Sequence, residues 1–157
     1  LFAGSTVIGQ ELEVIAPADE SHSQQIVLEI ERHDEGLGIW WTGHNGWLLK
    51  ADGVLVGTDL VLADTARREN PPPVSVAQVA KLLDVSFVTH GHGDHFNGPT
   101  TRYLLSESDC MFVLPVSCLD EAKRFGVPHD RIVTARPRSS LDVRGVHVDA
   151  LRAIHGN

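Results

Sequence analysis

A chain of 157 residues, 42% of them apolar, is long enough to bury a core and carries no Gly/Ser or Pro/Gln tract that would keep it disordered. Its net charge of −8 opposes general binding to a phosphate backbone, so nucleic acid is not expected as a partner. No apolar run approaches the ~18 residues of a membrane span, and Cys110 and Cys118 are too few to build a disulfide framework. Both thiols read as reduced and buried, and the expected location is the cytoplasm.

Residues 1–18 show little periodicity and read as an N-terminal arm. Ser21 to His33 reads as a helix, with Ile26, Val27 and Ile30 on one face and Gly36 and Gly38 stopping it. Strand character follows over Ile39–Thr42 and Trp47–Leu49. The turn Ala51-Asp52-Gly53 then leads into Val54–Val56, which predicts an antiparallel meander. Asn70 to Pro73 is a stiff loop, and Ser75 caps a helix whose apolar face carries Val76, Val79, Ala80 and Leu83.

Beyond this point helix and strand alternate. Val85–Thr89 is a buried strand, Pro99–Leu105 a short helix and Met111–Leu114 a strand. Ser117 is placed to cap a helix ending at Gly126, with Asp120 in position for a capping box. Ile132-Val133 is a short strand, and Val146, Val148 and Ala150 alternate on a last strand running to Ile154. The strands are expected to form one sheet with helices on its outer face. No linker divides the chain, so residues 1–157 read as one domain.

The densest chemistry is Thr89-His90-Gly91-His92-Gly93-Asp94-His95, which sets four metal-capable side chains within six residues. Neutral imidazoles and a carboxylate suit zinc, iron or manganese, and the glycines let the loop fold tightly enough for its side chains to converge. Structural zinc sites favour cysteine, whereas His and carboxylate ligands that leave a position for water are the catalytic pattern. The cofactor expected is therefore one or two divalent ions, zinc first, with manganese or iron as the other options.

The His-x-His-x-Asp-His string resembles the signature of the metallo-β-lactamase superfamily. Gly38-Ile39-Trp40-Trp41-Thr42-Gly43 and Gly46-Trp47-Leu48-Leu49-Lys50 are similar to the opening strands of its L-ascorbate-6-phosphate lactonase branch, as are Phe125–Pro128 and Arg131–Val133 to a later segment. The resemblance implies an α/β fold of the αββα sandwich type, represented here mainly by its first half: one mixed sheet with outer helices. It implies that His90 and His92 bind a first metal, completed by His155, and that Asp94 and His95 bind a second. It further implies that Asp94 is the catalytic residue, holding the nucleophile and moving its proton.

The function so implied is metal-dependent hydrolysis of a small molecule, a sugar lactone in phosphorylated or free form. The metal lowers the pKa of bound water to ~7 and so supplies hydroxide. The alternatives are a metallo-phosphodiesterase or nuclease of the same superfamily, and a non-catalytic metal-binding fragment. The family is longer than this chain, so the domain is expected to be incomplete at its C-terminus. The inner sheet face is then expected to be covered by a missing C-terminal half or by a homo-oligomer partner.

Asp59, in Val56-Gly57-Thr58-Asp59-Leu60, stands where the family often has an aspartate followed by proline. His44 reads as a solvated loop residue that could line the mouth of the site. Trp40 and Trp41 read as one inward and one outward packing residue, and Arg136 and Arg138 as solvated loop residues.

Overall fold

The computed structural model describes residues 16–63 and 69–154. The arm expected over residues 1–18 therefore falls almost wholly outside the described residues, and His155 lies outside them too.

Helix α1 (Glu20–Arg32) starts at Asp19, whose carboxylate accepts from the His22 N–H at 3.1 Å. Its C-terminal carbonyls are met by Lys50, whose Nζ donates to Ile30 O at 2.8 Å and Glu31 O at 3.1 Å. Strands β1 (Gly38–Gly43), β2 (Gly46–Ala51) and β3 (Val54–Thr58) form the antiparallel meander. Asp52 (φ 50°) and Gly53 (φ 78°) both take the left-handed conformation that a two-residue hairpin turn requires.

Helix α2 (Val76–Ala80) carries a complete capping box between Ser75 and Gln78. Strand β4 (Val85–Phe87), helix α3 (Gly98–Glu107), strand β5 (Met111–Pro115), helix α4 (Leu119–Phe125) and strand β6 (Ile132–Ala135) complete a six-stranded mixed sheet in the order β1-β2-β3-β4-β5-β6. From β3 onward the strands are parallel, each crossover containing one of the helices α2, α3 and α4.

The two sheet faces separate cleanly by residue alternation. Leu48, Leu55, Phe112 and Leu114 face the helices and pack in one core with Val27, Ile30, Val79, Leu104 and Ala122. Val85 and Val113 face the other way, with Val56, Phe87, Met111 and Val133 around them.

Three sequence expectations need correction. The strands do not all enter one sheet: β7 (Ser140–Val143) and β8 (Val146–Asp149) pair only with each other, and their Leu141, Val143, Val146 and Val148 pack on the Val85/Val113 face. Arg144 (φ 48°) and Gly145 (φ 83°) make the tight reversal that closes this ribbon on itself. The last strand also stops at Asp149 rather than at Ile154. Ser117 does not cap α4: a single 3₁₀ turn over Val116–Cys118 precedes the helix, and Cys118 is its N-terminal boundary, without a side-chain cap bond. Both cysteines are free and buried, and burial pushes the Cys118 thiol up to about 11. Among the described residues no helix is long and apolar enough to cross a membrane.

Candidate metal centre

The site forms where two parallel strands end side by side. At the end of β3 the chain turns through Asp59, which takes φ 46° and hydrogen-bonds back to the sheet through Asp59 N–H to Phe87 O at 2.9 Å. An aspartate tolerates this left-handed conformation better than most residues. At the end of β4 the Val88 N–H donates to Val113 O at 2.9 Å, and the chain then enters the histidine loop. Ligand sites at the carboxyl ends of parallel strands are the general pattern of such sheets. The loop is held at its far end by Phe96, buried to 1% exposure against Phe125, and by Asn97, which caps α3. Inside it, the His95 and Phe96 N–H groups both donate to His92 O, at 2.9 and 2.7 Å.

Asp59 fixes the protonation pattern. Its carboxylate is almost buried and accepts from the Thr89 N–H at 2.8 Å, from Thr89 Oγ1 at 2.7 Å and from His95 Nδ1 at 2.9 Å. A carboxylate only accepts, so His95 carries its proton on Nδ1 and presents a lone pair at Nε2. The Thr89 hydroxyl spends its proton on Asp59, so its oxygen accepts from His90 Nδ1 at 3.1 Å. That leaves His90 Nε2 as a lone pair as well. His90 Nε2 in turn stands 3.1 Å from His92 Nδ1. One buried carboxylate thus sets the tautomers of two histidines.

This donor set fits a divalent ion. Two nitrogens on one tetrahedral zinc, each at ~2.0–2.1 Å, stand ~3.3–3.4 Å apart, close to the separation of His90 Nε2 and His92 Nδ1. Asp94 Oδ2 lies 3.9 Å from His95 Nε2, giving a second oxygen and nitrogen pair one step along the loop. Among the described residues no three His, Cys, Asp or Glu side chains are gathered tightly enough to form a complete ligand set as they stand. The expected third ligand of the first ion, His155, lies outside them.

Two further residues belong to the site. Asn45, in the turn between β1 and β2, places Nδ2 3.0 Å from His95 Nε2, 3.3 Å from His44 Nδ1 and 3.4 Å from Asp94 O. Its amide donates to the lone pair that an ion would use. In sequence Asn45 is an ordinary turn residue, and no local signal announces a partner 50 positions away. Glu121, from the first turn of α4, lies against Gly91: a Cβ there would meet its carboxyl carbon at 3.4 Å. His44 is exposed, as expected, although it is joined to the site through Asn45. Trp40 is half-buried against His33, while Trp41 faces outward.

No family model matches the chain. It is 32% identical over 127 residues to an uncharacterised protein of Mycobacterium tuberculosis, covering 76% of this chain and 34% of that protein. It is 24% identical over 159 aligned positions to a probable L-ascorbate-6-phosphate lactonase of Shigella dysenteriae, covering 80% of this chain and 44% of the lactonase. Among solved structures it is similar to CmlA, a diiron β-hydroxylase from Streptomyces venezuelae, with TM-score 0.57 and 20% identity over 76% of this chain and 24% of that one. The chain therefore spans between a third and a half of the length of these curated relatives. Its mixed sheet, its outer helices and its histidine string at the carboxyl edge of β4, together with the similarity to the lactonase, support the expected assignment to the metallo-β-lactamase superfamily.

Proposed function

We propose that this chain forms the metal-binding part of a metal-dependent hydrolase. The observation that carries the reading is the paired presentation of His90 Nε2 and His92 Nδ1 at 3.1 Å, with the His90 and His95 tautomers set by buried Asp59. His90, His92 and His155 would hold one ion, and Asp94 and His95 a second, with zinc, manganese or iron all compatible with the donors. When bound, such an ion polarises a carbonyl or phosphoryl oxygen and makes water a nucleophile at neutral pH. Asp94, about one-third exposed at the loop, would orient a water and take its proton on a carboxylate oxygen. The kinship with lactonases supports a lactone as substrate class, with a phosphorylated sugar lactone as the specific candidate.

The test uses the full-length protein, assayed after metal loading against a lactone panel and bis(p-nitrophenyl) phosphate. Lactone turnover that disappears on chelation and returns on metal addition is expected. Asp94→Asn should lower that turnover while leaving the melting temperature nearly unchanged. Turnover indifferent to chelation would refute the reading, and activity confined to the phosphodiester would move it to another branch of the superfamily.

A further inference from the structure

A groove of about 690 Å³ runs from the histidine loop along the ends of β4, β5 and β6. That volume falls in the range of small-molecule sites. One end is formed by Thr89 and His90, and the floor by apolar side chains that include Phe87, Val113 and Val148. Arg136 and Arg152 also line it. No aspartate or glutamate appears among the described lining residues, although the chain as a whole has 21 acidic residues against 13 basic ones. The groove is therefore a locally cationic place on an acidic protein, directly beside the candidate metal centre.

The two arginines stand on segments that the backbone joins. The Arg138 N–H donates to Ala150 O at 2.7 Å, and the Ala150 N–H donates to Ser139 O at 2.9 Å. These bonds clamp the turn after β6, which carries Arg136, to the segment after β8, which carries Arg152. Neither guanidinium forms an ion pair with another described residue, in contrast to Arg124 and Arg144. Along the same groove Leu151 and Ile154 leave most of their surface in water, 86% and 84% exposed. An apolar body covering them would remove that surface from solvent.

We propose that this groove binds an organic anion, a carboxylate or phosphate carried on an apolar or weakly polar body. Arg136 and Arg152 hold the charged group, and the body lies towards His90. A guanidinium fork matches both oxyanions, so the shared chemistry is a planar or tetrahedral oxyanion accepting charge-assisted hydrogen bonds. The role of the groove in turnover rests on the metal-dependent reading above, whereas its capacity to bind does not.

The experiment separates the two. Full-length protein, metal-loaded and metal-stripped, is titrated calorimetrically with hexanoate, hexyl phosphate and hexanol. At least one anion should bind both forms, and at least about tenfold more tightly than hexanol. The variant carrying both Arg136→Ala and Arg152→Ala should lose at least about tenfold in anion affinity with unchanged melting temperature and metal content, and replacement by lysine should restore part of it. The stronger of the two anions identifies the charged group. Anion binding only in the metal-loaded form would assign it to the ion and overturn the proposal. So would equal binding of hexanol, no binding at all, or an unaffected double variant. Failure of chelation to alter hydrolysis would sink the hydrolase reading while leaving binding to the metal-stripped protein intact.

Discussion

Asp59 Oδ2 lies 2.9 Å from His95 Nδ1, joining the end of β3 to the last histidine of the loop after β4. The same carboxylate receives the Thr89 hydroxyl, which in turn accepts from His90. A residue that touches no ion in this arrangement therefore decides which nitrogens of His90 and His95 can bind one.

The first prediction follows from that carboxylate. Asp59→Asn keeps a side chain that tolerates φ 46°, so the backbone is preserved. The amide has one acceptor oxygen where Asp59 has two, so the Thr89 N–H on Oδ1 and the pair Thr89 Oγ1 and His95 Nδ1 on Oδ2 cannot all be satisfied. Metal affinity should fall about 10–100-fold, as is usual when an outer partner of a metal-binding histidine is lost. Competition against a chromogenic chelator measures it, and unchanged affinity would show that Asp59 does not tune the site.

A second prediction concerns the ribbon of β7 and β8. His147 faces Asp142 across the ribbon, with Nδ1 2.9 Å from Oδ1, and its Nε2 is 3.6 Å from Asp149 Oδ1. The hydrogen bond to Asp142, with the charges of Asp142 and Asp149, raises the imidazole above its ordinary value of 6.5. Because the folded value is raised, the contribution to stability is complete below 6.5 and is lost as pH rises through the folded value. Proton NMR of the His147 ring should titrate above an exposed histidine and return towards it in Asp142→Asn. His147→Ala should lower stability at mildly acidic pH and have little effect at alkaline pH. An unshifted titration would contradict the pairing.

The third prediction addresses an uncovered face. Ile39, Trp41 and Trp47 are 54%, 58% and 44% exposed and lie in register on the face that the ribbon covers further along. Trp41 and Trp47 are cross-strand partners with ring centroids 6.4 Å apart. A soluble monomer rarely exposes an apolar patch beyond a few hundred Å². We expect a C-terminal segment of a longer protein, or a second copy, to lie on it. The 157 residues expressed alone should associate, and Trp41→Ser with Trp47→Ser should reduce that association. Light scattering after size exclusion measures it, and a monodisperse, cooperatively melting monomer would contradict the expectation.

Much of the fold was legible because its periodicities are local. The Asp52-Gly53 turn, the Ser75 cap and the short apolar run of β5 each follow from a few neighbouring residues. The pairing of β7 with β8 was not legible, since Val146 and Val148 read the same whether their partner is a main-sheet strand or Leu141 and Val143. Within the site, the histidine string announced itself by density. Asn45 did not, because its contact with His95 depends on how β1, β2 and the loop meet in space. Asp59 stood out only by family resemblance, and its role emerges from burial and from the three donors around it.

The most direct test of the account is an anomalous-difference map from crystals of the full-length protein soaked with zinc. A peak is expected between His90 Nε2 and His92 Nδ1, with metal–nitrogen distances of ~2.0–2.1 Å and His155 as a third ligand. The peak should be lost in His92→Ala. Saturating zinc that leaves this position without a peak, or a peak that persists in His92→Ala, would contradict it.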